Sequence, residues 1–147
     1  MITEGDIVFR LVVAALLSGL IGLEREFKHK PAGIRTHILV GVGSALMITT
    51  AIFSNETFLS DPARMAAGVI TGIGFLGAGL IIQDRNQVHG ITTAGAVWMV
   101  AAIGITVGYG FFLAAGVATA ITLLNLVWSR DDRIPAYLRS AFKKSSK

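Results

Sequence analysis

The chain has 147 residues, enough for one domain, and 53% of them are hydrophobic against 15% charged, a balance far from that of a water-soluble fold. It has no cysteine, which excludes disulfides, thiolate metal sites and cysteine nucleophiles. The net charge of +4 would suggest nucleic acid for a soluble protein, but here Lys and Arg flank apolar runs, so membrane topology explains them and no nucleic-acid partner is expected.

Five apolar runs follow in chain order, over residues 7–23, 36–53, 65–82, 92–107 and 111–128, each near the ~20 residues that cross ~30 Å of hydrocarbon. The expected fold class is therefore all-α, a polytopic transmembrane bundle of about five helices spanning residues 1–128. Glu4 and Asp6 precede the first run where a signal peptide would carry positive charge, so that run is expected to stay in the mature chain. The last two runs are separated only by Gly108-Tyr109-Gly110, and one helix over both would be ~55 Å long, so a tight turn is expected there. Residues 129–147 form a basic tail. Pro135 either opens a short amphipathic helix on an anionic leaflet or belongs to a frayed, solvated end.

Basic residues set the orientation. Arg25, Lys28, Lys30 and Arg35 in the first loop, Arg85 in the third, and six Lys and Arg of the tail share one side, whereas Arg10 and Arg64 stand on the other. The positive-inside rule then puts the amino terminus outside and the carboxyl terminus in the cytoplasm.

The third run carries Gly68, Gly72, Gly74, Gly77 and Gly79. Residues 72–77 match G-x-G-x-x-G, but no preceding strand accompanies them and no acidic residue stands about 20 positions on, so close helix packing is the expected role rather than dinucleotide binding. A helix broken at these glycines, exposing carbonyls to a cavity, is the functional alternative. Gly41 and Gly43, and Gly104 and Gly108, repeat the small-residue theme and point to a compact bundle or a homodimer.

At the end of the first run, Glu24 with Lys28 and Glu26 with Lys30 are i,i+4 pairs in the favourable order, while Arg25 has no partner at that spacing. Arg35, Thr36 and His37 open the next helix at the same depth. Whether these residues finish two helices or build a site stays open at this point. Thr92-Thr93 is expected to cap the fourth helix. No spacing of His29, His37 and His89 gives a metal-ligand signature, and no cofactor is expected. All nine Asp and Glu fall at or beyond helix ends, which disfavours a dedicated cation pump. No nucleophile, base and orienter can be assembled, so the chain is not expected to be an enzyme.

The motifs at residues 19–26 (GLIGLERE), 32–37 (AGIRTH), 72–79 (GIGFLGAG) and 90–94 (GITTA), in that order, resemble the membrane domain of the MgtC/SapB family over about residues 5–128. The resemblance implies a multi-pass protein of the bacterial inner membrane, linked to growth in low magnesium and to virulence. It implies binding and modulation of other membrane proteins, with an F-type ATP synthase or a magnesium-importing P-type ATPase as partners and a homodimer as the assembly. The family residues it carries over are Glu24, Arg25, Arg35, Thr36, Arg64, Thr92 and Thr93. Two departures stand out. Gly68 occupies a position where the family pattern has glutamine, and only about 19 residues follow the last span where many relatives have an ACT-like domain. A channel or transporter for Mg²⁺ or a small solute is the alternative function.

Overall fold

In the computed structural model, residues 2–58, 61–84 and 87–128 are described, and the expected amphipathic tail helix lies outside them. The described residues form five helices: α1 (Glu4–Phe27), α2 (Ile34–Phe58), α3 (Pro62–Leu80), α4 (Ile91–Gly108) and α5 (Phe112–Trp128). The first four are long and apolar enough to cross a membrane, and α5 is a shorter apolar helix of 17 residues.

The helices begin and end for local reasons that the apolar runs do not show. Thr3 and Asp6 form a capping box, so α1 starts three residues before its apolar run. Asp61 accepts from Ala63 N with Pro62 next in the chain, which starts α3. Two helices end in the same Schellman geometry. After α1, His29 N donates to Glu26 O and Lys30 N to Arg25 O; after α4, Gly110 N donates to Val107 O and Phe111 N to Thr106 O. The left-handed residue is Gly110 (φ 88°) in the expected turn, but His29 (φ 51°) at the end of α1.

The third span differs from expectation at its end. Helix α3 stops at Leu80, and the chain folds into an antiparallel hairpin, β1 (Ile82–Asp84) with β2 (Gln87–His89), in the register Ile82 to His89. The polar residues Gln83, Asp84 and Gln87 favour leaving the apolar helix here, and Gly90, at φ 88°, swings the chain back into α4.

Helix α4 is the centre of the bundle and touches all four others. Over half of its span is buried, against 11% for α3. Close approach is made by glycines. The α2–α4 crossing passes through Gly41, Gly104 and Gly108, and the α1–α2 crossing through Gly22, where a Cβ would sit 2.6 Å from Ile34 Cα. Contacts between Gly41 and Val100 and between Ile48 and Gly108 make α2 and α4 parallel, with α1, α3 and α5 running the other way. Large apolar side chains such as Phe9, Leu16, Phe75, Leu113 and Leu124 point outward, as they must where lipid is the solvent.

Candidate functional site

One end of the bundle gathers the end of α1, the α1–α2 loop, the hairpin, the start of α4 and the end of α5 around an open cavity of about 980 Å³. Arg25, Lys28, His29, Lys30, His89, Gly90, Thr92, Thr93 and Leu126 are among its lining residues.

Arg25 is only 3% exposed, and its partner turns out to be its sequence neighbour. Its Nη2 donates to Glu24 Oε1 at 2.9 Å while Nε donates to Oε2, a two-pronged guanidinium–carboxylate pair. Lys28 Nζ lies 2.6 Å from Glu24 Oε1, the i,i+4 pair expected from the sequence, and also donates to Leu126 O at the end of α5. Glu26 does something else: its carboxylate accepts from Ile34 N at 2.9 Å, satisfying the first turn of α2 across the loop.

The start of α4 corrects the expected capping by threonine. Gly90 is the N-cap and supplies no side-chain bond, so Thr92 and Thr93 lie inside the first turn. The first intrahelical bond runs from Ala94 N to Gly90 O, which leaves the N–H groups of Ile91, Thr92 and Thr93 pointing out of the helix end. Thr93 is buried, lines the cavity, and its hydroxyl makes no hydrogen bond among the described residues. Deeper along α1 and α2, Ser18 Oγ and His37 Nε2 are buried without hydrogen-bond partners among the described residues, with His37 Nδ1 set 2.8 Å from Gly33 O.

Of the residues singled out from sequence, the structure brings Glu24, Arg25, Thr92 and Thr93 to this end. Arg35 and Thr36 are exposed at the start of α2 and do not line the cavity. Arg64 is at the start of α3, at the opposite end of the bundle, ~25 Å from the hairpin by the helix rise. Among the glycines, Gly77 packs on α4, 3.8 Å from Ala94 Cβ for an added methyl, whereas Gly68, Gly72, Gly74 and Gly79 face open space. Sequence reasoning missed the contribution of His29 and His89. The one available signal was their position at the two loops that the charge pattern puts on the same side.

His29 is held left-handed at a cost of ~1–2 kcal/mol for a residue with a Cβ. His29→Gly is expected to raise stability by about 1 kcal/mol, read by thermal unfolding in detergent; a loss would show that the imidazole packs favourably enough to outweigh its backbone strain.

The chain matches the MgtC family over residues 11–131. It belongs to that family. It is 41% identical over 127 residues to a protein of Escherichia coli K12 named "Putative magnesium transporter YhiD", covering 82% of this chain and 59% of that one. It is 44% identical over 114 residues to "Protein MgtC" of Brucella abortus, covering 77% and 47%. "Protein SrpB" of Synechococcus elongatus is 39% identical over 149 residues, covering 92% and 81%. The chain thus spans about half the length of the first two relatives. No solved structure matches it. Membership makes this a bacterial membrane protein, and the four span-length helices agree.

Proposed function

We propose that this chain is a non-enzymatic protein of the bacterial inner membrane that acts in magnesium homeostasis, or in adaptation to low magnesium, by binding and modulating other membrane proteins. Its basic end faces the cytoplasm in this reading. The observation that carries the proposal is the outward face of α3. At ~100° per residue, Gly68, Gly72, Phe75 and Gly79 fall within about 60° of one another, on a helix that buries only Ile73 and Gly77. A glycine inside a helix costs ~1 kcal/mol relative to alanine. No packing among the described residues calls for Gly68, Gly72 or Gly79, which supports a helix from another chain that approaches α3 closely.

The printed name of one relative, "Putative magnesium transporter YhiD", supports the magnesium part of this reading and names transport as its rival. The cavity at the basic end, however, presents Arg25, Lys28 and Lys30, a field that repels a divalent cation. The helix on α3 belongs to a second copy of the chain or to a target, and the F-type ATP synthase and a magnesium-importing P-type ATPase are the targets proposed.

Because the chain lacks cysteine, Phe75→Cys, at a side chain 82% exposed, gives a clean cross-linking probe. Disulfide-linked dimers under a mild oxidant, or adducts with either named ATPase through a photocrosslinker attached to the new thiol, are expected, and Gly72→Leu is expected to abolish them while the fold persists. Cross-links unchanged by Gly72→Leu would count against the α3 face. Mg²⁺ flux through the purified protein in liposomes would replace this reading with a transporter.

A further inference from the structure

The basic cavity holds chemistry that the α3 face does not use. Three N–H groups leave the start of α4 without intrahelical partners, at the positive end of an 18-residue helix. Thr93, 97% buried as a residue, lines the cavity beside them, and its hydroxyl makes no hydrogen bond among the described residues. Arg25 lines the same cavity from α1, also 97% buried, and Lys28 and Lys30 bring two more cations. Glu24 offsets only part of this charge, being shared between Arg25 and Lys28. Glu26 is turned toward the start of α2, where it accepts from Ile34 N.

We propose that this cavity binds a phosphate-bearing anion, with the Thr93 hydroxyl and the first N–H groups of α4 donating to its oxygens and Arg25, Lys28 and Lys30 supplying charge. A phosphate group matches the site in two ways. Its several acceptor oxygens meet several convergent donors, and its negative charge meets a surplus of cations that the carboxylates among the described residues leave uncompensated. A divalent cation finds no such match, and among the described residues no group of three His, Asp or Glu is placed to hold one. Two sources supply this chemistry at a membrane surface, the headgroup of an anionic phospholipid and free inorganic phosphate.

The two sources are separated by using the full chain in delipidated detergent and in nanodiscs. In detergent, inorganic phosphate is titrated by calorimetry. In parallel, retention of phosphatidylglycerol against phosphatidylcholine is read by native mass spectrometry. Thr93→Val keeps the side-chain shape, and Lys30→Gln alters an exposed residue, so both variants are expected to fold. Each is expected to weaken binding about tenfold, as the loss of one bond or charge to an anion does. Saturable phosphate binding that both variants weaken assigns a soluble anion. Selective phosphatidylglycerol retention that both weaken assigns the headgroup. Absence of both, or binding indifferent to Thr93→Val and Lys30→Gln, overturns the site.

Discussion

Gly104→Ala is expected to destabilise the bundle by about 1–3 kcal/mol, the usual cost of forcing a methyl into a packed core, whereas Gly72→Ala leaves stability unchanged or raises it by up to ~1 kcal/mol. The contrast follows from two helices with similar glycine patterns and opposite surroundings. At Gly104 an added Cβ runs into the carbonyl of Gly41 and lies 2.9 Å from Ser44 Cβ. Backbone cannot step aside as a flexible side chain can, so α2 and α4 must separate along their whole contact. Gly108 reinforces the point, its added Cβ falling 2.7 Å from Ile48 Cβ one turn further on. At Gly72 the same methyl meets nothing within 4 Å and contributes only helix propensity. Unfolding of the purified monomer in detergent, followed by tryptophan fluorescence, tests both. Equal losses at the two positions would mean that α3 buries its glycine face in that state, and no loss at Gly104 would mean that the α2–α4 contact is looser than its geometry.

That contrast also marks what could be read before the structure. Helix number, approximate helix positions and the glycine turn at 108–110 follow from apolar length, although only four of the five helices are long enough to count as spans. The same glycine spacing on α3 and α4, however, does not reveal which helix is central. Periodicity tells which residues share a face, and only tertiary placement tells what that face meets. The hairpin at 82–89 was illegible for a different reason, since three-residue strands leave no alternation to detect and Ile81 and Ile82 extend the apolar run of α3.

The site was half legible. Glu24, Arg25, Thr92 and Thr93 emerge from the motifs, and the charge asymmetry that orients the helices already separates Arg64 from them. What sequence could not supply was the partner of Arg25. Helical spacing directs attention to positions three and four away, but a guanidinium buried at a helix end can fold back on the adjacent carboxylate when the next loop closes over both. Nor does any pattern announce that Gly90, rather than a threonine, begins α4. That displacement by two residues moves Thr93 from a capping position to the wall of a cavity.

Glu24→Gln is expected to cost about 3–5 kcal/mol of stability, the loss seen when one member of a buried ion pair is removed. Arg25 is 3% exposed and Glu24 11%, so solvent does little to screen the charge left behind. Lys28, with 32% of its side chain exposed and a second acceptor in Leu126 O, tolerates the change better. Most of the penalty therefore belongs to Arg25, and Arg25→Met in the same chain is expected to recover most of it by removing the orphaned charge. A double-mutant cycle on unfolding in denaturing detergent measures this as a coupling of well over 1 kcal/mol between the two positions. Additive losses would show that Glu24 and Arg25 act independently and that water, entering through the cavity, already solvates the guanidinium. The same variant also bears on the anion. Removing the Glu24 charge leaves the cavity more positive, so phosphate affinity in the Glu24→Gln chain is expected to rise even as stability falls. Opposite signs in the two readouts separate a ligand site from a purely structural ion pair, because a loss of fold alone would lower both.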